Sequence, residues 1–298
     1  MGFFLEVTIG GLLAGVLYSL VALGFVLIFK ASGVFNFAQG TMVLFAALSL
    51  VRMMEVMPFW IAFPLACAIM IALAFVIERV VLRPLVNQEA IILFMATLGI
   101  SFFLEGFGQA VWGSDIYTLN LGLPSGPTFI LESVFDGGLL VEKLDIFAAI
   151  VAGALVTALA VFFQKTKVGL ALRAVADDHQ AAQSIGVPLN YIWLVVWSAA
   201  GIVALVAGMV WGAKLGVQFS IAFVALKALP VLILGGFTSV PGAIIGGLLI
   251  GLGEKLSEVY LGPVFGGGIE NWFAYMLAMI FLMFRPQGLL GDRIIERV

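Results

Sequence analysis

Apolar residues in this chain run on for about twenty positions at a time, and polar residues gather in the short gaps between the runs. A run of that length matches a helix crossing the hydrocarbon core of a bilayer. Membrane strands would instead alternate apolar and polar residues over about ten positions. Set against charge and turn residues, the runs predict helices over 7–29, 37–52, 59–81, 91–112, 144–163, 191–213, 220–236, 240–260 and 269–284. The second and seventh are short for a crossing, and a re-entrant path is open to either. The expected fold is all-α: a polytopic integral membrane protein of about 8–10 transmembrane helices forming one domain over 1–298.

Composition sharpens this expectation. Hydrophobic residues make up 63% of the chain and charged residues 10%, against about 25% charged in a soluble domain. The formal charge is −3 with no dense basic cluster, which argues against nucleic acid as a partner. One cysteine, Cys67, and one histidine, His179, exclude an internal disulfide and a Cys- or His-built metal cage. The N-terminal MGFFLEVTIGG has no basic stretch of the kind that opens a cleaved signal, so the first run is expected to be kept as a helix.

Orientation follows from Lys and Arg. With nine crossings and an outer N-terminus, Lys30, Arg79, Arg83, Lys165, Lys167, Arg173, Arg285, Arg293 and Arg297 collect on the cytoplasmic side. Only Arg52, Lys143 and Lys214 fall outside, while Lys227 and Lys255 lie within or at the edge of spans. The longest outer connection, 113–143, holds Asp115, Pro124, Pro127, Glu132, Asp136, Gly137 and Gly138. It reads as an irregular loop, either a docking surface or a plain connector.

Between the fifth and sixth runs lies a polar island, 164–190, on the cytoplasmic face. Asp177 is placed to cap a helix, with Gln180 three residues on completing a capping box. Ala181, Ala182 and Ile185 then make a small apolar face, Gly186 gives a left-handed exit and Pro188 prevents continuation. A helix of about two turns is marginal alone in water. Two supports are open: a soluble partner, or lipid headgroups with Lys165, Lys167 and Arg173 as anchors.

Three further features carry chemistry. GVFNFAQG (33–40) interrupts two apolar runs with Asn36 and Gln39, which suit either a solute contact or a tight turn with an Asn cap. GGFTSVPGAIIGGLLIGLG (235–253) sets Gly235 and Gly236 before Gly242, Gly246, Gly247 and Gly251. That spacing lets helices approach closely or forms a hinge for a gate, and it lacks the pattern of an ATP-binding phosphate loop. Lys227 lies inside an apolar run, where a lysine costs about 2.5–3.5 kcal/mol on insertion scales. It is expected to pair with Glu105 or Glu254, or to meet a solute carboxylate.

RAVADDHQAAQSIGV (173–187) resembles the coupling segment of ABC-importer permeases, specifically the LivH-type inner-membrane permeases for branched-chain amino acids. The resemblance extends through GVLYSLVALGFVLIFKASGVFNFAQGTMV (15–43), IERVVLRPL (77–85), TLGISFFLE (97–105), 227–261 and FRPQGLLG (284–291), in order. Pro230 and Phe237 depart from the family pattern, and Pro230 is expected to kink or break its segment.

The resemblance implies a multi-pass permease of the bacterial inner membrane with no enzymatic chemistry and no cofactor of its own. ATP would be bound by two cytoplasmic ATPase subunits; a second related permease subunit would complete the pathway, and a periplasmic binding protein would deliver the solute. Arg173, Ala174, Asp177, Asp178, Ala181, Ala182 and Gly186 would face the ATPases, and Asn36, Gln39 and Lys227 would line the pathway. The cargo would be a branched-chain or other neutral amino acid. The alternatives are a permease for urea or short amides and an ion-coupled secondary transporter using Glu105, Glu254 and Lys227.

Overall fold

A computed structural model of the chain describes residues 2–85, 88–122, 126–130, 138–177 and 179–291. Pro124, Glu132, Asp136, Gly137, Asp178, Arg293 and Arg297 lie outside the described residues, as do the side chains of Asp177 and Gln180. The helices are α1 (Gly2–Ser32), α2 (Gln39–Met54), α3 (Phe59–Val76), α4 (Ala90–Trp112), α5 (Lys143–Lys165), α6 (Lys167–Asp177), α7 (His179–Ser184), α8 (Leu189–Leu215), α9 (Val224–Gly235), α10 (Val240–Phe265) and α11 (Glu270–Phe284). A π turn (Ile77–Leu82) and a 3-10 turn (Arg83–Leu85) prolong α3, and a 3-10 turn (Phe219–Phe223) leads into α9.

All nine predicted runs appear, in order. Among the described residues, six helices are long and apolar enough to cross a membrane: α1, α3 with its extension, α4, α5, α8 and α10. Three apolar helices are shorter: α2, the stretch Phe219–Gly235, and α11. The last of these was expected to span, yet α11 has 15 residues, about 22 Å of helix. Large apolar side chains stand exposed, among them Trp60, Phe102, Phe103 and Ile150. In water such surface would drive association, whereas lipid solvates it.

Two expectations about the connections need correction. The outer connection is not wholly irregular: β1 (Pro127–Ile130) and β2 (Leu139–Glu142) pair antiparallel, with Phe129 opposite Leu140. Two four-residue strands are too short for hydrophobic alternation to announce them. Nor does Pro230 break its helix. The change from 3-10 to α geometry comes at Val224, and α9 continues through Pro230. A buried environment of neighbouring helices supports such a proline.

Chain contacts separate two compact units. One comprises Met1–Ala22, Gly122–Ala154 and Leu226–Val298; the other comprises Leu23–Leu121 and Leu155–Ala225. In the second unit, α2 and α8 are the buried pair: α2 is buried from Gln39 through Val51, and Trp197 of α8 is almost fully enclosed. A Cβ on Gly208 would stand 2.5 Å from the Val43 carbonyl, so this glycine permits the close approach. In the first unit, the hairpin is tied to α1, where Leu140 N donates to Glu6 Oε1 at 2.8 Å.

Candidate functional site

The polar island folds as two helices rather than one. Asp177, expected as an N-cap, is the last residue of α6, and α7 begins at His179. The island's one predicted helix start is Asp177, whereas α6 starts after Thr166, whose Oγ1 accepts from Gly169 N at 3.1 Å, an N-cap. The C-terminal exit is as expected: Gly186 has φ +86°. Gly186 N donates to Gln183 O (3.0 Å) and Val187 N to Ala182 O (3.0 Å), a Schellman pattern. Pro188 then caps α8.

The proposed apolar face of α7 divides. Ala182 is buried at 2% exposure, whereas Ile185 is 78% exposed and Ala181 also points outward. On α6, Arg173 is exposed and Ala174 half-buried, with Leu172 and Val175 turned inward. Among the described side chains, the segment therefore exposes Lys167 and Arg173 together with Ala181, Gln183, Ser184 and Ile185, while Leu172, Val175 and Ala182 are buried.

At the break between α1 and α2, Asn36 forms a side-chain turn two residues before Ala38, the N-cap position of α2, which has no side-chain cap. Asn36 Oδ1 accepts from Ala38 N (3.1 Å) and its Nδ2 donates to Gln39 Oε1 (3.3 Å). Thr97 on α4 clamps the same turn, accepting from Phe37 N (3.1 Å), with Phe35 O at 3.2 Å and Phe94 O at 2.9 Å within reach of its proton. Thr41 Oγ1 lies 3.3 Å from Ser101 Oγ. Asn36, Gln39 and Thr97 are fully buried, so non-helical backbone at this depth is satisfied by protein, as it must be. Gln39 Nε2 has no hydrogen-bond partner among the described residues. Sequence reasoning missed Thr97 and Ser101, because isolated hydroxyls in an apolar helix carry no spacing signal.

The glycine-rich stretch serves two seams. Gly242 and Gly246 face Gly235 and the Val231 carbonyl of α9, while Gly247 and Gly251 face Gly15, Ser19 and Gly11 of α1. Ser19 Oγ reaches Gly15 O (2.8 Å) and Ile244 O (3.2 Å). Alternate glycine pairs thus let α10 pack closely against a different helix on each side, which is packing by backbone contact. Gly236 belongs to a third contact, with the C-terminal segment.

Lys227 meets Glu254, its Nζ 4.0 Å from Oε2. The Nζ also lies 5.8 Å from the centroid of the Tyr18 ring. Tyr18 is in hydrogen-bonding contact with the same carboxylate. Glu105 lies half-buried on α4. A second intramembrane carboxylate, Glu78, is 1% exposed and takes Arg83 Nε at 3.2 Å across the π turn. It was missed because the pair sits at the end of a run, where a charge reads as an ordinary boundary.

A profile of the family described as branched-chain amino acid transport system / permease component matches residues 7–285. The chain belongs to this family. It is 30% identical to the high-affinity branched-chain amino acid transport system permease protein BraD of Pseudomonas aeruginosa, over 99% of this chain and 98% of that one. It is likewise 30% identical to the permease protein LivH of Escherichia coli strain K12, again over 99% and 98%. A probable LivH of Methanocaldococcus jannaschii is 29% identical over 95% of this chain and 91% of that one. A solved structure, PsaBC from Streptococcus pneumoniae in complex with Fab, overlays with a TM-score of 0.43 at 15% identity, covering 92% of this chain and 89% of that chain.

Membership makes the chain a multi-pass membrane permease component, and it implies an ABC transporter with ATPase partners. The amide-permease and ion-coupled alternatives are not favoured by these relatives.

Proposed function

We propose that this chain is the transmembrane subunit of an importer for branched-chain or other neutral amino acids, working by alternating access. The observation that carries the proposal is the family match across 7–285. The placement of α6 and α7 between two membrane helices supports it. Arg173, Ala181 and Ile185 stay exposed on this segment and are available as the contact for a motor.

ATP binding would close two cytoplasmic ATPases, the exposed surface of α6 and α7 would follow them, and the transmembrane domain over 1–298 would open toward a loaded periplasmic binding protein. Hydrolysis would reset it. In this proposal the chain performs no covalent chemistry and holds no cofactor. A second related permease subunit completes the pathway in the bacterial inner membrane. Lys227 is the best-placed pathway contact, because part of its side chain remains accessible. Asn36 and Gln39 shape the turn beside the pathway.

Reconstitution of the complete assembly into vesicles tests the proposal. Labelled leucine, isoleucine or valine should accumulate only with ATP and the binding protein. Accumulation by the permease pair alone, abolished by an uncoupler, would reverse the conclusion.

A further inference from the structure

The pair formed by Lys227 and Glu254 is poorly satisfied for a buried ion pair. Arg83 with Glu78, and Lys255 with Glu270, both close to 3.2 Å, whereas Lys227 and Glu254 stand at 4.0 Å. Glu254 is 1% exposed, and its Oε1 has no hydrogen-bond partner among the described residues. Lys227 keeps 31% of its side chain accessible. A buried pair offsets the loss of hydration only when its remaining lone pairs and protons are also engaged. Among the described residues Glu254 Oε1 is left with unused capacity, in a helix pair that otherwise packs backbone to backbone.

We propose that Lys227 and Glu254 form a transient contact for the two charges of a zwitterionic solute. The Lys227 ammonium takes the solute carboxylate, Glu254 Oε1 takes the solute α-ammonium, and the Tyr18 ring face lies beside both. The inference rests on the importer function proposed above and names the chemistry of its pathway. A zwitterion entering a low-dielectric passage loses the hydration of two opposite charges at once, so an apolar wall is a barrier. The opposed pair supplies both counter-charges once Glu254, 1% exposed at rest, is uncovered to the solute. It also favours release, because the two side chains compensate each other again when the solute leaves, and a conducting site must let go as readily as it binds. A solute carrying one charge would leave the second wall group unpaired, a cost that selects for zwitterions.

The test uses the complete assembly in vesicles, with leucine taken up per ATP hydrolysed as the readout and co-purification of all subunits as the control for folding. Lys227→Met and Glu254→Gln should each lower uptake per ATP at least tenfold in assembled transporter, and Lys227→Arg should recover a substantial part. A structural brace would lower assembly without changing the ratio. If the single variants do not assemble, the double variant Lys227→Met/Glu254→Leu, which leaves no charge alone, decides. An assembled double variant with tenfold lower uptake per ATP supports the contact. Wild-type uptake per ATP in any assembled variant overturns it, and so does a double variant that fails to assemble. A wild-type assembly that hydrolyses ATP yet imports no neutral amino acid sinks the importer proposal itself, and the inference falls with it.

Discussion

Glycine in this chain does different work at different positions, and two residues on the C-terminal side show why the local geometry decides. Gly236 has φ +102° and Gly288 φ +79°. A Cβ on Gly236 would lie 2.6 Å from Gly291 N, and one on Gly288 2.6 Å from Gly236 N. The reason is a backbone strap. Leu289 N donates to Leu234 O (2.8 Å) and Leu290 N to Gly235 O (3.2 Å), so the last carbonyls of α9 are satisfied by the segment that follows α11. Gly236→Ala therefore incurs both a strained φ and a backbone clash. It should cost about 1–3 kcal/mol and lower the melting temperature of the purified permease in detergent. Gly10 is the control: its Cβ would meet nothing within 4 Å, and in a helix Gly10→Ala should be neutral or stabilise by up to about 1 kcal/mol. Equal melting shifts for the two variants would refute the strap.

Among the elements, α6 and α7, the proposed ATPase contact, carry the most direct test. Ile185 is exposed and Ala182 buried, so substitutions one turn apart should fail in different ways. Ile185→Asp should leave the permease folded and weaken ATPase co-purification at least tenfold. Ala182→Arg forces a charge into the packing beneath α7 and should reduce the yield of folded permease, costing about 3–5 kcal/mol as an unpaired buried charge. Co-purification and size-exclusion profiles of both variants separate the outcomes; full ATPase recovery with Ile185→Asp would remove this face as the dock. How much of this was legible beforehand depends on the kind of signal. The nine apolar runs stood out because a membrane helix writes hydrophobicity over many residues. The Gly186 exit also stood out, since it is set by one residue's local chemistry. The direction of Ala182 was not legible, because in a two-turn helix without strong periodicity the inward side is chosen by the neighbour. The Glu254 pairing was narrowed to two carboxylates and no further, for a contact between distant helices leaves no trace in spacing. The two seams of α10 were likewise read as one stripe, since glycine spacing reports closeness but not the partner.

At the scale of the whole molecule, the sidedness of the functional surfaces rests on one helix. The hairpin of β1 and β2 immediately precedes α5 (Lys143–Lys165), and the pair α6 and α7 immediately follows it. A helix of 23 apolar-rich residues spans about 34 Å, enough for a single crossing. A single crossing by α5 would put the two ends of this helix on opposite faces, whatever the shorter helices do. Positive charge decides which face is which. Lys165, Lys167 and Arg173 gather at the C-terminal end of α5 against Lys143 alone at its start, so the positive-inside rule predicts a cytoplasmic C-terminal end. Replacing Cys67, the only cysteine, by Ala gives a background for site-specific labelling. Phe129→Cys on the exposed edge of β1 should react with a membrane-impermeant maleimide applied from outside the inner membrane. Ile185→Cys should react only after the membrane is opened. Reversed reactivity would place the coupling helices out of reach of any cytoplasmic ATPase and would remove the motor from the mechanism. Equal reactivity at both positions from one side would mean that α5 does not cross. Labelling as expected would put the two ends of α5 on opposite sides of the membrane, as the proposed function requires.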